Sequence, residues 1–209
     1  AFTPSPRRVL VVGLGGGTLP RLLHRHYPEA IIDVAEINPG VVDVAQRYFG
    51  LAPDERLRVH LGDGRAFVEA AAPSSYDFVL LDAFAGNTVP THLTTREFLG
   101  AVRRALSPQG VVVSNVWNRG ANRVYDDMIA TYQQVFPQVS ALDVPATVNV
   151  IVLARPQGDA VSREALAARA AKLRDEQRFR YDLAGLVMQG WIAPERLRAG
   201  RVLSDADRR

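Results

Sequence analysis

The stretch RVLVVGLGGGTLPRLL, residues 8–23, decides the fold. Val9 to Val12 form a continuous apolar run, as a strand covered on both faces requires. Gly13-Leu14-Gly15-Gly16-Gly17-Thr18 follows at once, and residues 18–26 then read as a helix. Glycines at a strand-to-helix turn let the backbone approach a ligand closely, and the helix N-terminus beyond them favours a negative group. The spacing departs from the dinucleotide-binding fingerprint, which needs its third glycine where Thr18 stands.

Outward from that turn, β-rich runs alternate with amphipathic stretches. Further strands are expected at residues 31–36, 57–61, 76–82, 110–116 and 148–154, and helices at 39–48, 65–71, 95–106 and 122–136. Asn38-Pro39 offers an N-cap followed by proline at the first helical position. Thr94 with Glu97 reads as a capping box, and Ser107 to Gly110 as a turn between helix and strand. The alternation implies an α/β fold of Rossmann-like type, with a mostly parallel central sheet and helices on both faces. After Arg155 the composition changes: residues 156–159 read as a linker, Ser162 caps a helix running to about Phe179, and a short helix follows at 183–189. Residues 1–155 are therefore expected to form a nucleoside-binding domain, and residues 156–209 a linker and C-terminal helical extension.

Three acids fall at successive strand ends. Gly-x-Gly-x-Gly is the arrangement of sites that take S-adenosyl nucleosides. Glu36, closing the second strand, stands where a carboxylate can accept both ribose hydroxyls. Asp63, in Leu61-Gly62-Asp63-Gly64, stands where one can accept from an adenine amino group. Capping of helices is the plainer alternative for both. Asp82 emerges at the same carboxyl edge, where ligands of open α/β sheets sit, and can orient or deprotonate an amine. His92, in the loop after Asp82, is expected to face the pocket, and Asn87 and Thr88 of that loop could supply hydrogen bonds. Trp117 and Asn118 could line an acceptor pocket, with core packing the equal alternative for Trp117.

Composition narrows the rest. The 209 residues are 47% hydrophobic and 22% charged, enough for one packed domain and a short extension. The lack of cysteine excludes disulfide scaffolds, cysteine-ligated metals and thiol nucleophiles. His24, His26, His60 and His92 show no ligand spacing, so no metal is expected. The net charge is +3, and all of the 25 basic residues except Lys172 are arginine. Mixed charges on the C-terminal helix favour a solvated surface, with no nucleic-acid partner. No apolar run reaches bilayer length and no signal-peptide core is visible, so a cytoplasmic location without direct membrane contact is expected. The chain begins at Ala1, which is compatible with a processed or excised piece of a longer protein.

The runs VLVVGLGGGTLPRLL (9–23), DVAEINPGVVDVAQRYF (33–49), LRVHLGDGRAF (57–67) and YDFVLLDAF (76–84) resemble four successive motifs of the spermidine synthase family. Its members are aminopropyltransferases built on the class I methyltransferase fold. The similarity covers about residues 7–155. PTHLTTREF (90–98) is similar to a divergent bacterial branch, some of whose members are fused to a transporter-like membrane domain. The resemblance implies that Gly13, Gly15, Gly17, Glu36, Asp63 and Gly64 hold the adenosyl group and that Asp82 is the acid beside the reacting amine. The co-substrate would be decarboxylated S-adenosylmethionine or S-adenosylmethionine, the acceptor a small-molecule amine, and the assembly a homodimer. Four features depart from the family pattern. Gly16 replaces an acid that helps select the decarboxylated donor, Ala85 replaces a second acid that grips the polyamine, and Val144 replaces a tyrosine. A β-rich region that closes the site is missing ahead of Arg7. Aminopropyl transfer is the expected chemistry. Gly16 keeps open a methyltransferase acting on a small nucleophile, and Ala85 and Val144 keep open a regulatory nucleoside-binding domain without turnover.

Overall fold

Alternate residues of the first strand feed opposite cores, and this sets the layers. In β1 (Arg8–Val12), Leu10 and Val12 join one apolar cluster, while Val9 and Val11 join another on the reverse face. The computed structural model describes residues 2–86, 88–197 and 200–207. After β1 come α1 (Thr18–His26), β2 (Ile31–Glu36), α2 (Pro39–Phe49), β3 (Leu57–Leu61), α3 (Gly64–Ala70), β4 (Tyr76–Leu81), α4 (Arg96–Ala105), β5 (Leu106–Trp117) and α5 (Tyr125–Val135). The chain continues through β6 (Gln138–Asp143), β7 (Asn149–Arg155), α6 (Arg163–Gln177), α7 (Leu183–Gly190) and β8 (Trp191–Ile192).

The strands form one sheet in the order β3-β2-β1-β4-β5-β7-β6-β8. The first five run parallel, whereas β7 pairs antiparallel with both β5 and β6. Helices α4 and α5 cover one face through Phe98, Leu99, Val102, Met128, Ile129 and Tyr132. Helices α1 and α2 cover the other through Leu23, Val41, Val42 and Ala45. This is the mostly parallel, doubly covered Rossmann-like sheet expected of the sequence.

Register places the functional edge. Val12 stands beside Ala35 on one side and Leu81 on the other, so Gly13, Glu36 and Asp82 leave the sheet at the same level. Glu36 itself pairs with Leu61, which brings Asp63 to the same edge.

Several local expectations need correction. The cap of α4 is Thr95, whose hydroxyl accepts from the Phe98 amide, while Thr94 closes the preceding single turn over Thr91–Leu93. Glu97 accepts from the Asp205 amide at 3.0 Å instead of completing a capping box. Ser107 to Gly110 lie within β5, where the pairing with β4 slips between Tyr76 and Phe78. Helix α5 starts at Tyr125, because the Asn122 side chain turns the chain by accepting from the Val124 amide at 3.1 Å. Strand β6 was not expected; it is the antiparallel partner that β7 requires.

The C-terminal segment shares this sheet. The Ser162 hydroxyl caps α6, and Leu166, Ala167 and Ala170 bury against Leu142, Leu153 and Val187. Ala165, next to Leu166, is exposed. Strand β8 adds to β6 through Ala141 and Leu142. An apolar cavity of about 380 Å³ separates α1 from α6 and α7, over Phe78, Val113 and Ile151. No helix among the described residues is long and apolar enough to cross a membrane.

Candidate functional site

The glycine turn is shaped by two contacts that exclude side chains. Gly13 has φ +96°, and a β-carbon there would stand 2.5 Å from the Asp82 carbonyl oxygen. Gly17, the N-cap of α1, has φ +73°, the left-handed region that favours glycine, and no side chain caps the helix. The first-turn amides of α1 therefore lack a side-chain acceptor of their own. A cleft of about 130 Å³ is lined by Gly13, Leu14, Gly15, Gly16, Thr18 and Asp82, so the loop and the fourth-strand acid share one space. Gly16 faces the Phe49 ring, which would lie 3.3 Å from an added β-carbon.

Glu36 is 8% exposed and is fixed from two directions. The Leu14 amide donates to its Oε2 at 2.9 Å and the Asn38 amide to its Oε1 at 2.8 Å. These bonds lock the carboxylate to the glycine loop, and each oxygen keeps a further lone pair. Asp63 caps α3, accepting from the Ala66 amide at 3.0 Å. Its other oxygen meets His92 Nε2 at 2.9 Å; a carboxylate only accepts, so the imidazole donates. Burial would push the Asp63 carboxyl up, but the Ala66 amide, the charge of His92 and the Arg65 amide outweigh it and hold it below the usual range. Gly64 is buried beside the Val12 side chain and seats the start of α3 against β1.

Asp82 follows β4, with its amide donating to the Val12 carbonyl at 2.9 Å. Its carboxylate accepts from Asn115 Nδ2 at 3.0 Å. Burial pushes the Asp82 carboxyl above the ordinary range, partly countered by that bond, which makes it a stronger base than an exposed aspartate. Asn115 is a residue that sequence reasoning missed. Its Oδ1 is buried and has no partner among the described residues, leaving an acceptor beside Asp82. Ile37 and Leu61, 66% and 61% exposed, are the second omission: apolar side chains next in line to Glu36 and Gly62 at the carboxyl edge.

The remaining expected pocket residues separate. His92 joins Asp63. Trp117 is half-buried and stacks on Phe84, centroids 5.6 Å apart, which ties the end of β5 to the loop after Asp82. Asn118 turns the chain by accepting from the Gly120 amide. Ala85 is exposed and bridges to Thr88, and Val144 starts the turn between β6 and β7. Asn87 lies outside the described residues. Among the described residues no group of three or more His, Asp or Glu could hold a metal ion.

Comparison with known proteins places the fold in a family. Residues 1–152 match the model of the spermine/spermidine synthase domain. The chain is 43% identical over 146 residues to a polyamine aminopropyltransferase of Vibrio vulnificus, covering 69% of this chain and 48% of that protein. It is 32% identical over 158 residues to the human eEF1A lysine and N-terminal methyltransferase, covering 70% of this chain and 22% of that one. The chain thus spans about half, or less, of the length of these relatives. The crystal structure of human methyltransferase-like protein 13 in complex with SAH superposes with a TM-score of 0.76 at 29% identity, covering 84% of each chain. From the matched domain and the identity to the aminopropyltransferase, the chain belongs to the spermine/spermidine synthase family.

Proposed function

We propose that the carboxyl edge of the sheet binds the adenosyl part of a sulfonium donor and that Asp82 serves transfer of the donor's aminopropyl group to a small amine. The observation that carries this reading is the shared cleft: the glycine loop and Asp82 line one space, and Glu36 is locked to the same loop. The residues fit the donor. Glycine-loop backbone allows close approach, Glu36 keeps acceptor capacity for a ribose diol, and Asp63 keeps it for an exocyclic amine. Ile37 and Leu61 give a flat base an apolar border. The donor supplies a carbon activated by a neighbouring sulfonium, which departs as a neutral thioether when the carbon–sulfur bond breaks.

Asp82 does the rest from this chain. Its carboxylate orients the amine for in-line attack and takes the proton released as the new carbon–nitrogen bond forms. The raised proton affinity suits that role, and the free Asn115 Oδ1 offers a second acceptor to the amine. A homodimer is the part of this reading carried only by the family.

A second reading, methyl transfer, is favoured by one observation. Gly16 faces the Phe49 ring and presents no carboxylate to repel that of intact S-adenosylmethionine. Incubation with each donor and a panel of diamines separates the two. Aminopropyl product from the decarboxylated donor, lost in Asp82→Asn while donor binding persists, supports the first reading. Methylated product from intact S-adenosylmethionine supports the second. Full activity in Asp82→Asn would remove Asp82 from the chemistry.

A further inference from the structure

The C-terminal segment runs back across the molecule to the base end of the proposed cleft. Gly200 lies against the first turn of α5, where a β-carbon would stand 2.4 Å from the Asp126 backbone. Beyond it the Arg201 amide donates to Asp127 Oδ1 at 2.8 Å and the Leu203 amide to Thr131 Oγ1 at 2.9 Å. The Arg96 amide donates to the Leu203 carbonyl at 2.9 Å, and the Leu203 side chain is buried in the core under α4 and α5. Five contacts thus seat the segment before it reaches Asp205.

Asp205 then meets the start of α3 and α4 together. Its carboxylate takes both prongs of the Arg65 guanidinium, at 2.7 Å and 2.6 Å, and also the Thr95 hydroxyl at 2.9 Å. Arg65 is only 13% exposed and lies two residues after Asp63. Its Nη1 also donates to the His92 carbonyl at 3.1 Å, while its Nε donates to Glu69 at 2.7 Å. Bidentate arginine–carboxylate pairing fixes the plane of the fork as well as its charge. One guanidinium thereby connects the C-terminal carboxylate to the backbone of the turn whose imidazole touches Asp63.

We infer that Asp205 and Arg65 are positioning residues of the base-binding corner: the C-terminal segment clamps Arg65, and Arg65 holds the His92 turn so that the imidazole stays on Asp63. The inference rests on the proposed nucleoside site for its functional consequence, while the clamp itself stands on geometry alone. Without Asp205, Glu69 becomes the nearest acidic partner of Arg65, and the grip on the His92 carbonyl loosens.

The test is a double-mutant cycle on the full chain, with methylthioadenosine as the probe. Asp205→Asn should weaken its binding about fivefold, whereas in a His92→Ala background the same change should alter it by less than about twofold. Both backgrounds should lose the same increment of Tm, which is what a purely structural role would give. Asp207→Asn, a neighbouring carboxylate change on the same segment, should leave affinity within about twofold of wild type. Equal losses from Asp205→Asn in the two backgrounds, or no loss in either, would overturn the inference. The His92 imidazole nitrogen signals of the ligand-free protein judge the clamp separately. They should move in Asp205→Asn and stay in Asp207→Asn; unchanged signals in Asp205→Asn would sink the clamp even if nucleoside binds. Wild-type protein that binds no methylthioadenosine, but whose His92 signals move as expected, would retain the clamp and refute the nucleoside site.

Discussion

Asp82 sits where stability and the proposed chemistry pull in opposite directions. In the unfolded chain it titrates near the ordinary carboxylate value of about 3.9. Burial raises the folded-state value, so its favourable contribution is complete below the unfolded value and is lost as pH rises through the folded one. At neutral pH the ionised side chain is a liability that Asn115 only partly relieves. Asp82→Asn should therefore raise Tm at pH 7, and the gain should shrink as pH falls toward the ordinary carboxylate value of about 4. A lower Tm at pH 7, read by calorimetry, would contradict this account of the residue. The acids themselves were legible because each ends a strand at a fixed place after a recognisable run. Asn115 was not, since an amide inside an apolar strand carries no spacing signal and its meaning comes from Asp82 lying opposite.

At the scale of elements, legibility followed the locality of the cause. Helix α2 was readable because Asn38 and Pro39 set its start with local chemistry, and the Asn38 side chain does accept from the Gly40 amide at 2.9 Å. Asn38→Ala should cost about 1 kcal/mol of stability, measured by urea unfolding. Methylthioadenosine affinity should be unaffected, because the bond from this residue to Glu36 comes from its backbone amide. A large loss of affinity with unchanged stability would reverse that assignment. The misread elements depend on distant partners. Ser107 to Gly110 look like a turn, yet they bulge within β5, because Leu106 and Val111 on either side pair with Tyr76 and Phe78 of β4. Two adjacent threonines left the cap of α4 ambiguous by one residue, and the preceding single turn, which ends on Thr94, decides for Thr95. Residues 200–207 carry no signal in the sequence beyond membership of the C-terminal extension; Gly200, Leu203 and Asp205, brought to their partners by the fold, make them a clamp.

Across the whole molecule, the sheet does the organising. Neighbouring strands in register deliver Gly13, Glu36, Asp63 and Asp82 to one edge, although almost seventy residues separate the first from the last. The two cores above and below hold that edge still, and the apolar cavity between α1 and the C-terminal helices lies over the sheet face, apart from the acids. The Rossmann-like plan was readable from the alternation of runs; the tie between the C-terminal segment and the base corner was not, because 140 residues separate Arg65 from Asp205. A nucleoside site assembled from several strand ends, as proposed for this edge, should lose affinity when any one of those ends is altered. Isothermal titration of the wild-type chain, Glu36→Gln and Asp63→Ala with methylthioadenosine tests it most directly. Wild type should bind saturably and one-to-one, and each substitution should weaken binding about tenfold, near 1.4 kcal/mol, in protein that remains folded. Absence of binding by wild type, or equal affinity in all three proteins, would contradict it.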